Sequence, residues 1–264
     1  MGAPLVFITG ASSGIGQALA LHHAQAGWRL ALVARRTELV AAWAAAQGLG
    51  EDRCVVYGAD VAVPASIVAA GADCIARQGL PDRVIANAGI SVGMDSAEFE
   101  DLAVLQDTLA TNNVGLAATF QPFLAAMRER RRGTLVGIAS VAAIRGLPGH
   151  AAYCASKAAV VAYCESLRGE CRPYGVRVVT LLPGYIATPL TAKNPYPMPF
   201  LMSAECFASQ ACEAMDAGSS YRVIPWQMGL VAKLLRLLPN ALFDKLFAGR
   251  GRKPRRAQPA PPPG

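Results

Sequence analysis

The chain has 264 residues, 53% hydrophobic and 16% charged, a balance that excludes intrinsic disorder and supports a substantial buried core. Its formal charge of +7 is concentrated, because Arg250, Arg252, Lys253, Arg255 and Arg256 lie in a tail that ends in a proline-rich run. Without those five the rest carries +2 and lacks the basic stripe of a nucleic-acid binder. No stretch approaches the roughly 18 uninterrupted apolar residues of a membrane span. No basic segment precedes the first apolar run as a secretory signal requires, so a cytoplasmic location is expected. Seven cysteines without a C-x-x-C spacing suit a reducing compartment, and neither they nor the three histidines suggest a metal site.

The first apolar run, residues 5–9, leads into Gly10-Ala11-Ser12-Ser13-Gly14-Ile15-Gly16 and then a helical stretch at 15–26. A strand, a glycine turn and a helix N-terminus leave free backbone N–H groups at the positive end of a helix dipole, which favours phosphate. The first two glycines stand one residue further apart than in the usual dinucleotide fingerprint. Further apolar runs at 30–34, 54–57, 84–86, 134–138, 176–182 and 221–225 alternate with helical stretches at 38–47, 64–78, 102–130 and 152–172. Strands apolar on both faces and separated by helices predict a doubly wound α/β (Rossmann) parallel sheet with helices on both faces. Ligands belong at the carboxyl ends of its strands. A single domain is expected over residues 1–248, followed by a basic, Pro-rich, disordered tail at 249–264 that assembly and turnover do not need.

Within the stretch at 152–172, Tyr153 and Lys157 are four residues apart and share one helix face. An ammonium beside a phenol stabilises phenolate and lowers the tyrosine pKa, which makes Tyr153 a candidate general acid/base. Ser140 follows the apolar run at 134–138 by two residues and so stands at the carboxyl edge of the sheet.

Together these motifs resemble the short-chain dehydrogenase/reductase family. Thr9-Gly10-x-x-x-Gly14-x-Gly16 is similar to its cofactor turn, Asn87-Ala88-Gly89 to its motif after the fourth strand, and Tyr153-x-x-x-Lys157 to its active-site pair. Ser140 precedes the tyrosine by 13 positions, and Pro183-Gly184 with Thr188 follows the next strand in the same order. The resemblance implies a hydride-transferring oxidoreductase that interconverts a carbonyl and a secondary alcohol. Tyr153 would exchange a proton with the substrate oxygen and Ser140 would orient that oxygen. Lys157 would tune the tyrosine and bind the nicotinamide ribose. The family's fourth catalytic residue is an asparagine three positions before a glycine, and Gly115 selects Asn112 over Asn113. Cofactor contacts are implied for Gly10, Ser12, Ser13, Gly14, Ile15 and Gly16 in the turn, for Asn87, Ala88 and Gly89, and for Pro183, Gly184, Ile186 and Thr188. Asp60-Val61 resembles the pair that contacts adenine. Three departures stand out: Ala86 before Asn-Ala-Gly, Ala139 before Ser140, and a C-terminus that continues into helices instead of a glycine-rich ending.

Cofactor choice rests on the residue after the second apolar run. A carboxylate there would bind an NAD ribose and repel a 2′-phosphate, whereas this chain has Arg35, whose forked donors suit phosphate. NADP is favoured over NAD. Beyond Gly184, a segment rich in Tyr185, Leu190, Tyr196, Phe200 and Met202, with Lys193 its only charge, suits a moderately hydrophobic ketone or aldehyde. Residues 228–247 predict two short amphipathic helices, with packing on the body favoured over peripheral membrane contact. The helical stretches at 102–130 and 152–172 resemble those with which the family builds homodimers. The rival readings are a non-catalytic nucleotide-binding regulator and a peripheral membrane-associated lipid-carbonyl reductase.

Overall fold

The computed structural model describes residues 2–192, 194–249 and 252–256. The main strands are β1 (Leu5–Thr9), β2 (Arg29–Ala34), β3 (Cys54–Gly58), β4 (Arg83–Ala86), β5 (Gly133–Ile138) and β6 (Val176–Pro183). A two-residue pair, β7 (Ile186–Ala187) and β8 (Met202–Ser203), stands apart, and β9 (Tyr221–Ile224) completes the main sheet. The seven main strands are all parallel, in the order β3-β2-β1-β4-β5-β6-β9. The order reverses beside β1, so a crevice opens between the carboxyl ends of β1 and β4.

The helices are α1 (Gly14–Gln25), α2 (Thr37–Ala46), α3 (Pro64–Gln78), α4 (Leu102–Leu109), α5 (Gly115–Arg130), α6 (Ala151–Cys171), α7 (Ala204–Asp216), α8 (Trp226–Leu237) and α9 (Asn240–Phe247). Alternation along β1 divides the core between the two sheet faces. Val6 and Ile8 join Leu19 of α1 with Phe207 and Met215 of α7. Leu5 and Phe7 join Ile67 of α3 with Phe120 and Phe123 of α5. Strands apolar on both faces are therefore buried on both, as the alternating runs predict.

Three features differ from the sequence expectation. The helix expected at 102–130 is interrupted by a π-helical turn, Ala110–Val114, which re-aims the residues it carries. Helix α7 occupies a stretch for which no element was expected; the Ser203 hydroxyl caps it by accepting the Cys206 N–H at 3.1 Å. Residues 252–256 of the expected free tail lie against the body, with Gly93 N–H donating to the Pro254 carbonyl at 3.1 Å. Lys193, Arg250 and residues 257–264 lie outside the described residues.

Candidate active site

Gly10 and Gly14 adopt φ of 70° and 58°, where a side chain would be strained, so the turn between β1 and α1 needs glycine there. A Cβ on Gly10 would stand 2.8 Å from the Ala88 Cα, and one on Gly16 would run into the Gly10 carbonyl oxygen. The Asn87-Ala88-Gly89 segment stitches this turn to the end of β4. Thr9 Oγ1 accepts the N–H groups of Asn87 and Ala88, both at 3.2 Å, while Asn87 Nδ2 donates to the carbonyls of Thr9 and Gly10 at 3.0 and 3.3 Å. Ser13 is the N-cap of α1 but makes no side-chain cap, and the first turn holds no acid. Ser12, Ser13 and Ile15 therefore border a helix end whose N–H groups and dipole are open to an anion.

The chemistry-bearing residues converge on the carboxyl side of the same crevice. The π turn aims the buried Asn112 at the loop after β4, where Oδ1 accepts the Ile90 N–H at 2.8 Å and Nδ2 donates to the Ile90 carbonyl at 3.0 Å. Asn112 Nδ2 also donates to Ser156 Oγ at 2.9 Å, and Ser156 Oγ donates to the Tyr153 carbonyl at 2.8 Å. Asn113 points elsewhere, donating to the Ser156 carbonyl at 2.8 Å. A Cβ on Gly89 would meet Asn112 Oδ1 at 3.2 Å and Lys157 Nζ at 3.5 Å, so the three residues share one small space.

Lys157 is buried, with Nζ donating to the Ile138 carbonyl at 2.8 Å and lying 5.7 Å from the centroid of the Tyr153 ring. Burial holds the Lys157 ammonium at about 8. Burial also raises the Tyr153 phenol, and its hydrogen bond with the Ser140 side chain opposes that rise. Desolvation thus dominates the Tyr153 phenol, and Ser140, not the lysine, is the group that draws it down. Ser140 itself follows β5 and accepts the Ala142 N–H at 3.2 Å, which fixes its position.

The remaining candidates line the rim. Arg35 extends from the end of β2 and is exposed, with its guanidinium 3.5 Å from the Asp60 carboxylate after β3. Arg36 Nη2 donates to Ser12 Oγ at 3.5 Å. Val61 is buried and its carbonyl packs against Gly115. Pro183 ends β6, the Gly184 N–H donates to the Ile224 carbonyl at 2.8 Å, and the buried Ile186 pairs with Met202. Thr188 lies over the turn, close enough that a Cβ on Gly14 would reach its side chain at 3.1 Å. The glycine turn, the open helix end and the adjoining polar groups form a cradle that fits a nicotinamide dinucleotide. The glycine turn and the cluster of Asn112, Tyr153 and Lys157 thus share one crevice, while Arg35 and Asp60 lie at its β2–β3 end.

Sequence reasoning missed several neighbours. His150, buried at the start of α6, packs edge-on against Tyr196 at 5.7 Å, and Tyr196 lies 6.3 Å from Tyr185. Burial and the Lys253 charge both lower His150. Lys253 comes from the tail, where Nζ donates to Ser91 Oγ at 3.1 Å and to the Leu190 carbonyl at 3.2 Å, joining the loops after β4 and β7. Its neighbours Arg252, Arg255 and Arg256 pair with Asp95, Asp101 and Asp107 at 3.6, 2.7 and 2.7 Å. Helical spacing alone flags His150, one turn before Tyr153; nothing local flags Lys253.

The family model for short chain dehydrogenases matches residues 4–197. An uncharacterized oxidoreductase of Myxococcus xanthus is 38% identical over 90% of this chain and 93% of its own. Dehydrogenase/reductase SDR family member 7B of Bos taurus is 31% identical over 96% of this chain and 83% of its own. A Burkholderia cenocepacia short chain dehydrogenase, solved in complex with NADP, superposes with a TM-score of 0.78 at 23% identity, covering 93% of this chain and 98% of that one. The chain belongs to the short-chain dehydrogenase/reductase family and is an NAD(P)-dependent oxidoreductase.

Proposed function

We propose that the protein is an NADPH-dependent reductase of a moderately hydrophobic ketone or aldehyde, with Ser140, Tyr153, Lys157 and Asn112 as its reaction centre. The observation that carries the reading is their meeting in the crevice beside the glycine turn. The bound nicotinamide supplies the hydride. Ser140 Oγ orients the carbonyl oxygen, and the Tyr153 phenol donates the proton that turns it into an alcohol. In the reverse direction the Tyr153 phenolate takes that proton and becomes the phenol again. Lys157 supports the charge that develops on the phenol and holds the nicotinamide ribose. Asn112 keeps the Ile90 backbone and, through Ser156, the first turn of α6 in place. Arg35 takes the 2′-phosphate, a preference supported by its exposed guanidinium and by the relative solved with NADP. Tyr185 and Tyr196 give the substrate side an aromatic wall.

The small residues exposed on α6, among them Ala155, Ala158, Ala159 and Ala162, support a homodimer through α5 and α6. Consumption of NADPH with a panel of apolar ketones and aldehydes tests the catalytic reading, with indifference to the whole panel as the adverse result.

A further inference from the structure

The two C-terminal helices leave several of their large apolar side chains exposed. On α8, Trp226, Leu230, Leu234 and Leu237 are 66%, 54%, 56% and 80% exposed. At 3.6 residues per turn these four fall within an arc of about 80°. The buried Met228, Gly229 and Ala232 take the opposite face against the body. Leu242 and Leu246, four residues apart, share an exposed face of α9, at 53% and 43% exposure. Single exposed leucines need no explanation, but four large apolar side chains on one face of α8 and two on one face of α9 do. Lys233, Arg236 and Lys245 are exposed beside it, and Asp244 is the sole acid of the two helices.

The pair is held firmly in this pose. Arg145, five residues beyond Ser140, donates to the carbonyls of Leu235 and Leu238 and to Asn240 Oδ1, and its guanidinium stacks 3.8 Å from the Phe243 ring centroid. The outward stripe is thereby fixed relative to the loop that follows Ser140. A cavity of about 370 Å³, lined by Pro148, Asp244, Phe247 and Arg252 among others, lies between α9 and that loop.

We infer that α8 and α9 form a docking surface for an anionic lipid bilayer, lying in its interface with the leucine stripe among the acyl chains. Charge decides between occupants. A second copy packed on this face by a twofold axis would bring like cations together, whereas anionic headgroups complement Lys233, Arg236 and Lys245. Trp226 belongs at such a boundary because its indole has an apolar body and a polar N–H. Among the described residues no helix is long and apolar enough to cross a membrane, so the contact is peripheral.

The test is cosedimentation of the full chain with phosphatidylcholine vesicles, with and without about a third phosphatidylglycerol. It reads binding alone and stands whether or not a carbonyl is reduced. Wild type should sediment with the anionic vesicles and much less with the neutral ones. Leu230→Ser/Leu234→Ser/Leu237→Ser should weaken partitioning at least about tenfold, given about 0.8 kcal/mol per buried methylene. Lys233→Gln/Arg236→Gln should erase the preference for anionic vesicles. All three positions in the leucine variant are exposed, and an unchanged melting temperature identifies a folded protein. Failure of wild type to bind either vesicle would overturn the inference, as would equal binding by the leucine variant. Equal binding of wild type to both vesicles would overturn its anionic part. If wild type stays unbound and the leucine variant turns a dimer into a monomer, the stripe joins two copies instead.

Discussion

Arg35 and Asp60 face each other across the carboxyl ends of β2 and β3, guanidinium to carboxylate at 3.5 Å. An exposed pair of this kind adds little to stability, so its consequence lies in cofactor choice. On the proposed NADPH preference, Arg35 would neutralise a carboxylate that otherwise repels a 2′-phosphate and would offer its own donors to that phosphate. Arg35→Ala removes both effects at once. A charge-assisted contact is worth about 1.5–3 kcal/mol, so NADPH should bind roughly tenfold or more weakly while NADH changes little. Titration of both cofactors by fluorescence checks this, and equal losses would assign Arg35 to shaping the turn.

A second prediction concerns acid stability. Arg83 Nη1 meets His23 Nε2 at 2.8 Å, and His23 Nδ1 lies 2.7 Å from the Leu19 carbonyl. The tautomer that satisfies both is neutral, with Nδ1–H donating to the carbonyl and Nε2 accepting from Arg83. Burial first, and then the Arg83 charge, lower His23 from 6.5 to about 4. The unfolded chain therefore takes up the proton before the native one does. Stability falls as pH drops from about 6.5 towards about 4, by about 3 kcal/mol in full. His23→Gln, which keeps an acceptor for Arg83, should flatten urea-unfolding stability across that window. An equally steep loss in the variant would remove His23 as its cause.

The tail yields a third. Arg255 and Arg256 tie residues 252–256 to Asp101 and Asp107, and Lys253 bridges the loops after β4 and β7. Arg255→Ala/Arg256→Ala should speed hydrogen exchange in this segment and alter KM for the carbonyl substrate, with little change in melting temperature. Unchanged exchange would mean that the contacts do not hold the segment in solution.

Assembly gives a fourth. Ala158 and Ala162 lie one turn apart on the exposed face of α6, where small side chains let a second helix approach. Ala158→Arg/Ala162→Arg should leave the fold intact and shift a dimer to monomer in analytical ultracentrifugation. A wild type that is fully active and only monomeric at micromolar concentration would contradict the proposed interface.

Much of this architecture was legible because local pattern and tertiary burial agree. β1 and α3 have the bounds read from the sequence, since an apolar run entering a glycine turn and a Pro-started helix leave little ambiguity. Tyr153 and Lys157 were legible by helical spacing. Helix α7 falls between the aromatic segment, which reaches Met202, and the apolar run at 221–225, a stretch without an expected element although Phe207, Ala211 and Met215 recur every four residues. The π turn is encoded by no residue type; it appears where Asn112 must reach Ile90. Pairing of Arg255 with Asp101 spans 154 positions between largely exposed segments, and no local periodicity foretells it. Desolvation of Tyr153 likewise depends on surroundings that only the folded chain assembles.

In the proposed reaction Tyr153 transfers the proton during NADPH-dependent carbonyl reduction. The most direct measurement is single-turnover oxidation of bound NADPH by a carbonyl that the wild type reduces, compared between wild type and Tyr153→Phe. The variant keeps the glycine cradle and Lys157, so NADPH affinity should be preserved while the rate falls by about 10²–10⁴-fold, the usual contribution of a general acid. A Tyr153→Phe protein that oxidises NADPH at the wild-type rate would contradict the account.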